Sequence, residues 1–161
     1  MGEPGKTDTS PKAKKKEIDM TNLQTQDLIG TLVFAKKGET VYVALVHDIF
    51  GHWTVPKGKI EEGEELEAAV IRKVQDEIGI AVEVLEKIGE NEYISSHPEF
   101  KKIRKHTHHF LSRAAYEPLN FVAKKGLNNA KWFELSEIAA LNIYDDILPI
   151  IAKGIERIPK E

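Results

Sequence analysis

Apolar positions in this chain change period several times, and each change marks an element. Residues 28–35 (LIGTLVFA) and 40–46 (TVYVALV) are apolar and β-branched, separated by Lys36-Lys37-Gly38-Glu39. Two such runs around a glycine-bearing polar turn predict a hairpin. Residues 47–53 read as a loop, and Trp53-Thr54-Val55 as a short extended stretch stopped by Pro56. The period then lengthens. Leu66, Val70, Val74 and Ile78 recur at every fourth position, one stripe of a helix over residues 64–78 that Gly79 ends. Alternation returns over residues 81–88, and residues 92–95 and 106–115 add two strands across a polar loop, 96–105. Residues 130–133 form a short strand. Ser136 is placed to cap a short helix running to Leu141, and Asp145 or Asp146 to cap a last helix, 147–157, whose first turn tolerates Pro149. A helix inserted among strands predicts a small α/β or α+β domain.

Residues 1–27 lack this patterning. They are polar, carry Pro4, Gly5 and Pro11, and cannot bury enough surface to offset the entropy of ordering them. They are expected to be a flexible tail ahead of a domain spanning 28–161. Five lysines against three acids in residues 1–17 suit either an arm for anionic surfaces or a solubilising extension, and composition favours the extension. The chain has 161 residues, 41% of them hydrophobic, which suffices for one domain with a core. Its 23 basic and 26 acidic residues, net −3, argue against attachment to nucleic acid by bulk charge and leave only local patches. Without cysteine there is no disulfide framework, zinc-thiolate site or Cys nucleophile. No apolar run approaches the ~20 residues of a membrane span, and no secretory signal is present, so a cytoplasmic protein without a membrane partner is expected.

The chemistry concentrates in residues 56–80, PKGKIEEGEELEAAVIRKVQDEIGI. Gly58 and Gly63 allow tight turns before the helix. On the helix, Asp76 and Glu77 are adjacent acids, with Arg72 and Lys73 one turn earlier. Two carboxylates near a backbone carbonyl suit a hard cation, which could neutralise a diphosphate and activate water. Charged helix faces are commonly just solvated, and on residue types alone that reading leads.

The spacing changes the balance. Gly58, Glu64, Arg72, Val74, Glu77, Gly79 and Ile80 fall at the positions of the Nudix box: Gly, five residues, Glu, seven residues, Arg-Glu-apolar-x-Glu-Glu-x-Gly-apolar. Asp76 replaces the first Glu of the closing pair, and Lys73 replaces the Glu after the arginine. The segment therefore resembles the Nudix hydrolase family, and the preceding Trp53-Thr54-Val55-Pro56-Lys57 is similar to members acting on dinucleoside polyphosphates. The resemblance implies an α/β/α sandwich with a mixed central sheet and a loop–helix–loop catalytic motif. It implies a salt bridge between Glu64 and Arg72 that holds loop to helix. It also implies Mg²⁺ or Mn²⁺ on Asp76, Glu77 and the Gly58 carbonyl, with Asp76 and Glu77 catalytic. The activity implied is cleavage of a nucleoside diphosphate linked to another group, with a small nucleotide favoured over RNA as substrate.

Lys73 departs from that pattern, because an ammonium cannot ligate a cation and competes with one for the same acids. Three consequences stay open. Fewer metals suffice and Lys73 contacts phosphate; a base comes from Glu61, Glu62, Glu67, Glu92 or Glu117; or hydrolysis is slow or lost, leaving a module that binds nucleotide or RNA. The loop 124–129, where many family members carry a further acid, has none.

Elsewhere, the basic run 101–109 offers Lys105, His106 and His108 as phosphate contacts, joined by Lys57 and Lys73. Alternation puts His106 and His108 on one strand face, but no carboxylate near them in sequence completes a transition-metal ligand set. Trp53, Phe100 and Tyr144 are candidates to stack a base, and Trp132 and Phe133 read as core.

Overall fold

The computed structural model describes residues 22–123 and 126–160; residues 1–21, which hold most of the expected tail, together with Lys124 and Lys125, lie outside the described residues. Strands β1 (Thr25–Lys37), β2 (Thr40–Asp48), β3 (Trp53–Thr54) and β4 (Lys57–Lys59) precede helix α1 (Leu66–Ile78). Then come β5 (Glu83–His97), β6 (Lys101–Arg113), β7 (Leu127–Glu134), a 3₁₀ helix (Leu135–Ala140) and α2 (Leu148–Glu156). The strands form one mixed sheet in the order β3-β2-β1-β6-β5, with β4 paired to β1 and β7 to β2. The β1–β6 pairing is parallel, Thr25–Phe34 beside Arg104–Arg113, and every other strand pair is antiparallel.

Alternation along β1 and β2 sends successive side chains to two cores. Ile29, Val33, Ala44 and Val46 meet the α1 stripe of Val70, Val74 and Ile78 on one face. Leu32, Phe34, Val43 and Leu45 meet Ile147, Ile150 and Ile151 on the other. This is the expected α/β/α sandwich. Gly79 ends α1 in the left-handed region at φ 70°, its N–H bonded back to Val74 and Gln75, which an L side chain would strain. No helix among the described residues is long and apolar enough to cross a membrane.

Four local expectations are corrected. Residues 81–88 and 92–95 belong to a single strand, because bulges at Val84/Glu86 and Lys87/Gly89 shift the alternation and disguise its continuity. The polar loop 96–105 shrinks to a hairpin tip, because Lys101–Lys105 pair with Tyr93–His97 where both strands run beyond the core and charged side chains stay solvated. Ser136 is not a cap: Glu134 takes that position and forms a capping box with Glu137. Neither Asp145 nor Asp146 caps α2, whose N-terminus at Ile147 has no side-chain cap; Asp146 instead accepts a hydrogen bond from Asn91 Nδ2 at 2.9 Å.

Candidate active site

The loop after β4 is fixed to α1 by one arginine. Arg72 donates from Nε to Glu64 Oε2 at 2.8 Å, and from its terminal nitrogen to Glu64 Oε1 at 3.0 Å and the Lys59 carbonyl at 2.8 Å. The Glu61 N–H adds a bond to the same carboxylate. The Arg72 bonds and that N–H hold the Glu64 carboxyl below its ordinary range, and Glu64 raises Arg72 in return. A bidentate pair that also ties down backbone specifies the loop's path.

One turn away the motif is built differently. Lys73 lies flat on Gly58: a Cβ added there would fall 2.5 Å from its Cδ and Cε, so a side chain at this position would displace the lysine stem. Its ammonium then reaches Glu77 Oε2 at 3.4 Å, and Glu77 is buried beneath it at 4% exposure. Asp76 is half exposed and turns the other way, 3.7 Å from Arg72. Gly58 and Glu77 are therefore brought together with Lys73 between them, whereas Asp76 faces a different cation. A divalent ion held as the motif implies would have to share the buried Glu77 carboxylate with the Lys73 ammonium, and Asp76 would have to turn from Arg72 to meet it.

Beside this pair runs an open groove of ≈ 630 Å³, lined by Gly58, Glu61, Lys57, Lys59, Arg72, Lys73, Lys105 and Tyr93 among others. Burial pushes the Lys57 ammonium down, while the Asp146 and Asp48 carboxylates oppose that shift. Lys57 also lies 5.7 Å from the Tyr93 ring centroid. Lys57 and Tyr93 continue into a second cavity of ≈ 500 Å³ with Asp48, Phe50, Tyr144 and Asp146. There Tyr144 stacks on His52 at 3.9 Å and donates its hydroxyl to Asp48. Burial and that bond push Tyr144 up to about 12.

Of the residues singled out in the sequence, Lys57, Lys73, Lys105 and Gly58 line the groove, and Tyr144 lines the adjoining cavity. His108 does not join Lys105: alternation along β6 puts it on the opposite face, with Nε2 3.1 Å from Asp27 and Nδ1 2.9 Å from Lys87. Trp53 packs against Phe133 and His47, and Phe100 pairs with His97 beside the β5–β6 turn. Phe133 is core as expected, whereas Trp132 is half-buried at the margin of the other core, on the α1 side, and donates to the Glu117 carbonyl. Among the candidate bases only Glu61 lines the groove. Sequence reasoning missed Tyr93, Asp48 and Asp146, which carry no local signal and come from β5, β2 and the loop before α2. It also missed that carboxylates do flank His106: Asp27 from β1 and Glu90 and Glu92 from β5 lie beside it across the strands.

The sequence pattern of the NUDIX domain matches residues 25–153. Nudix hydrolase 6 of Arabidopsis thaliana is 31% identical over 118 residues, 68% of this chain and 40% of that protein. An RNA pyrophosphohydrolase of Wolbachia pipientis is 35% identical over 51 residues, 32% of this chain and 31% of that protein. The chain thus spans less than half the length of these curated relatives. Among solved structures, the NUDIX domain of Shewanella oneidensis NrtR complexed with ADP ribose superimposes with TM-score 0.67 at 18% identity, covering 88% of this chain and 94% of that one. A C. elegans Ap4A hydrolase does so with TM-score 0.64 at 19% identity, covering 81% and 96%.

Proposed function

Because the chain belongs to the NUDIX family, we propose that it is a pyrophosphohydrolase acting on a nucleoside diphosphate linked to another group. One observation carries the reading: a cationic groove and an aromatic, carboxylate-bearing cavity share Lys57 and Tyr93 as a common wall. The groove suits a diphosphate, since ammonium and guanidinium groups pair with phosphate oxygens. The cavity suits the nucleoside, with Tyr93 and Tyr144 offering ring faces and Asp48 and Asp146 accepting hydrogen bonds from base or ribose. A small nucleotide fills both, and dinucleoside polyphosphates or ADP-ribose have the required chemistry.

Lys73 decides how the chemistry runs. A diphosphate carries more charge than the Glu77 carboxylate and draws the Lys73 ammonium into the groove. Glu77 is then freed to take a proton from water attacking phosphorus, as the bridging P–O bond breaks and the phosphate leaving group departs as an anion. Mg²⁺ or Mn²⁺ in the manner of the family must displace the same ammonium, so substrate cleavage is expected to depend weakly on the ion and to be slow.

The Lys73–Glu77 pair also favours a second reading, a domain that binds nucleotide and does not turn it over. A panel of dinucleoside polyphosphates, nucleoside triphosphates, ADP-ribose and 5′-triphosphate RNA, with Mg²⁺, Mn²⁺ or chelator, separates the two. Product from at least one small nucleotide supports the hydrolase. Calorimetric binding of panel members with no product supports the binding domain. Neither binding nor product overturns both.

A further inference from the structure

On the sheet face opposite Lys105, five charged or titratable side chains from three adjacent strands stand side by side. The register sets them there: Asp27 of β1 is opposite His106 of β6, and Glu92 and Glu90 of β5 are opposite His106 and His108. The two imidazoles pack edge to face with centroids 4.8 Å apart, and both are largely shielded, at 21% and 17% side-chain exposure. One donor atom each from Asp27, His106 and His108 lie within 4.8 Å of one another.

We propose that Asp27, His106 and His108 form a site for one divalent cation of the zinc class. Two imidazoles and a carboxylate are an N₂O donor set, which suits Zn²⁺ and similar d-block ions better than Mg²⁺. Tetrahedral ligation at ~2.0–2.2 Å needs donors roughly 3.4 Å apart. Small rotations of three side chains at the solvent boundary supply the remaining approach. The surrounding groups already match the outer partners that orient ligating histidines. His106 Nδ1 is 2.7 Å from Glu92 Oε2, which leaves Nε2 to face the ion; Glu90 now holds that Nε2 and would release it. Glu90 Oε2 also lies 3.9 Å from His108 Nδ1, within easy reach once Nε2 of His108 turns from Asp27 to the metal. Lys87, now bonded to both Glu90 and His108 Nδ1, keeps Glu90 as its partner.

The charge balance points the same way. Asp27, Glu90 and Glu92 bring three negative charges to the cluster, against Lys87 and the Arg104 guanidinium 3.6 Å from Glu92. In the metal-free arrangement the His106 ring bridges Glu92 through Nδ1 and Glu90 through Nε2. Bound there, a dication would tie parallel β1 to β6, with β5 held through its two glutamates. The site shares no residue with the groove, although Gln26, Leu28 and Lys105 of the groove adjoin its ligands in β1 and β6.

The test is a Zn²⁺ titration of the full chain at neutral pH, by calorimetry and by competition with a chromophoric chelator. One ion per chain is expected, with affinity falling at least tenfold in His106→Gln, His108→Gln and Asp27→Asn. His97→Gln, which alters a histidine beside the β5–β6 turn, should bind as wild type does. Long-range ¹H–¹⁵N spectra of the unsubstituted protein remove any dependence on variant folding: Zn²⁺ should move the ring nitrogens of His106 and His108 and leave those of His97. Ring signals of His106 and His108 that stay in place, or affinity unchanged in the three variants, would overturn the assignment.

Discussion

Two ion pairs made by neighbouring residues of one helix, Arg72 with Glu64 and Lys73 with Glu77, show how unevenly the motif has been kept. The first is bidentate, bonded to backbone, and spans loop and helix. The second is a single 3.4 Å contact within one helical turn, over a buried carboxylate. The first fixes shape and the second, on the reading proposed above, sets chemistry, so the loop–helix–loop can keep its path while an ammonium stands over its buried carboxylate. Fold and activity are therefore separable in this segment.

The largest effect should come from Glu77→Gln, which removes the proposed proton acceptor. Turnover should fall by ~10²-fold or more while Arg72 still holds the loop, and equal product from wild type and variant in a phosphate-release assay would remove Glu77 from the reaction. Next in size, Lys73→Glu replaces the competing ammonium with a ligand. Mg²⁺- or Mn²⁺-stimulated turnover should rise on the order of tenfold, about 1.4 kcal/mol of transition-state stabilisation; steady-state rates no higher than wild type would show that Lys73 does not stand in the way. Lys57→Ala should raise KM severalfold with a smaller change in kcat, since it strips one cation from the wall both cavities share. A KM that does not move would take Lys57 out of the groove's function.

The smallest effect belongs to the structural pair. Glu64 has its carboxyl held low in the fold, so it contributes stability above its unfolded pKa, and that contribution fades as pH falls through the lowered value. Thermal melts from neutral to acid pH should show a shallower acid loss in Glu64→Gln than in wild type. Parallel curves would mean that the pair shapes the loop without stabilising the domain.

What was legible in the sequence is what neighbours in the chain decide. The α1 stripe, the Gly79 stop and the β1–β2 hairpin follow from spacings of a few residues, and the Glu64–Arg72 pair from the resemblance of the motif that contains both. The β5 bulges were hidden because one extra residue flips the phase of alternation. The caps at Ser136 and Asp145 or Asp146 failed because the true helix starts are set by where β7 and the preceding loop deliver the chain. Tyr93, Asp146 and the carboxylates around His106 were invisible for a different reason: the strand residues meet only through pairings that join distant segments, and Asp146 reaches β5 from the loop before α2. Asp27 and His106 are 79 residues apart and share a register position only because β1 and β6 run parallel.

That parallel pair also governs the order in which the domain can assemble. When β1 and β2 have left the ribosome, β1 has one edge satisfied by the hairpin, and the other must wait for a partner translated after α1 and β5. Closing so long a loop costs entropy before any contact repays it. Until β6 emerges, the edge of β1 that it will cover stays bare, and a bare apolar strand edge is open to pairing with another chain.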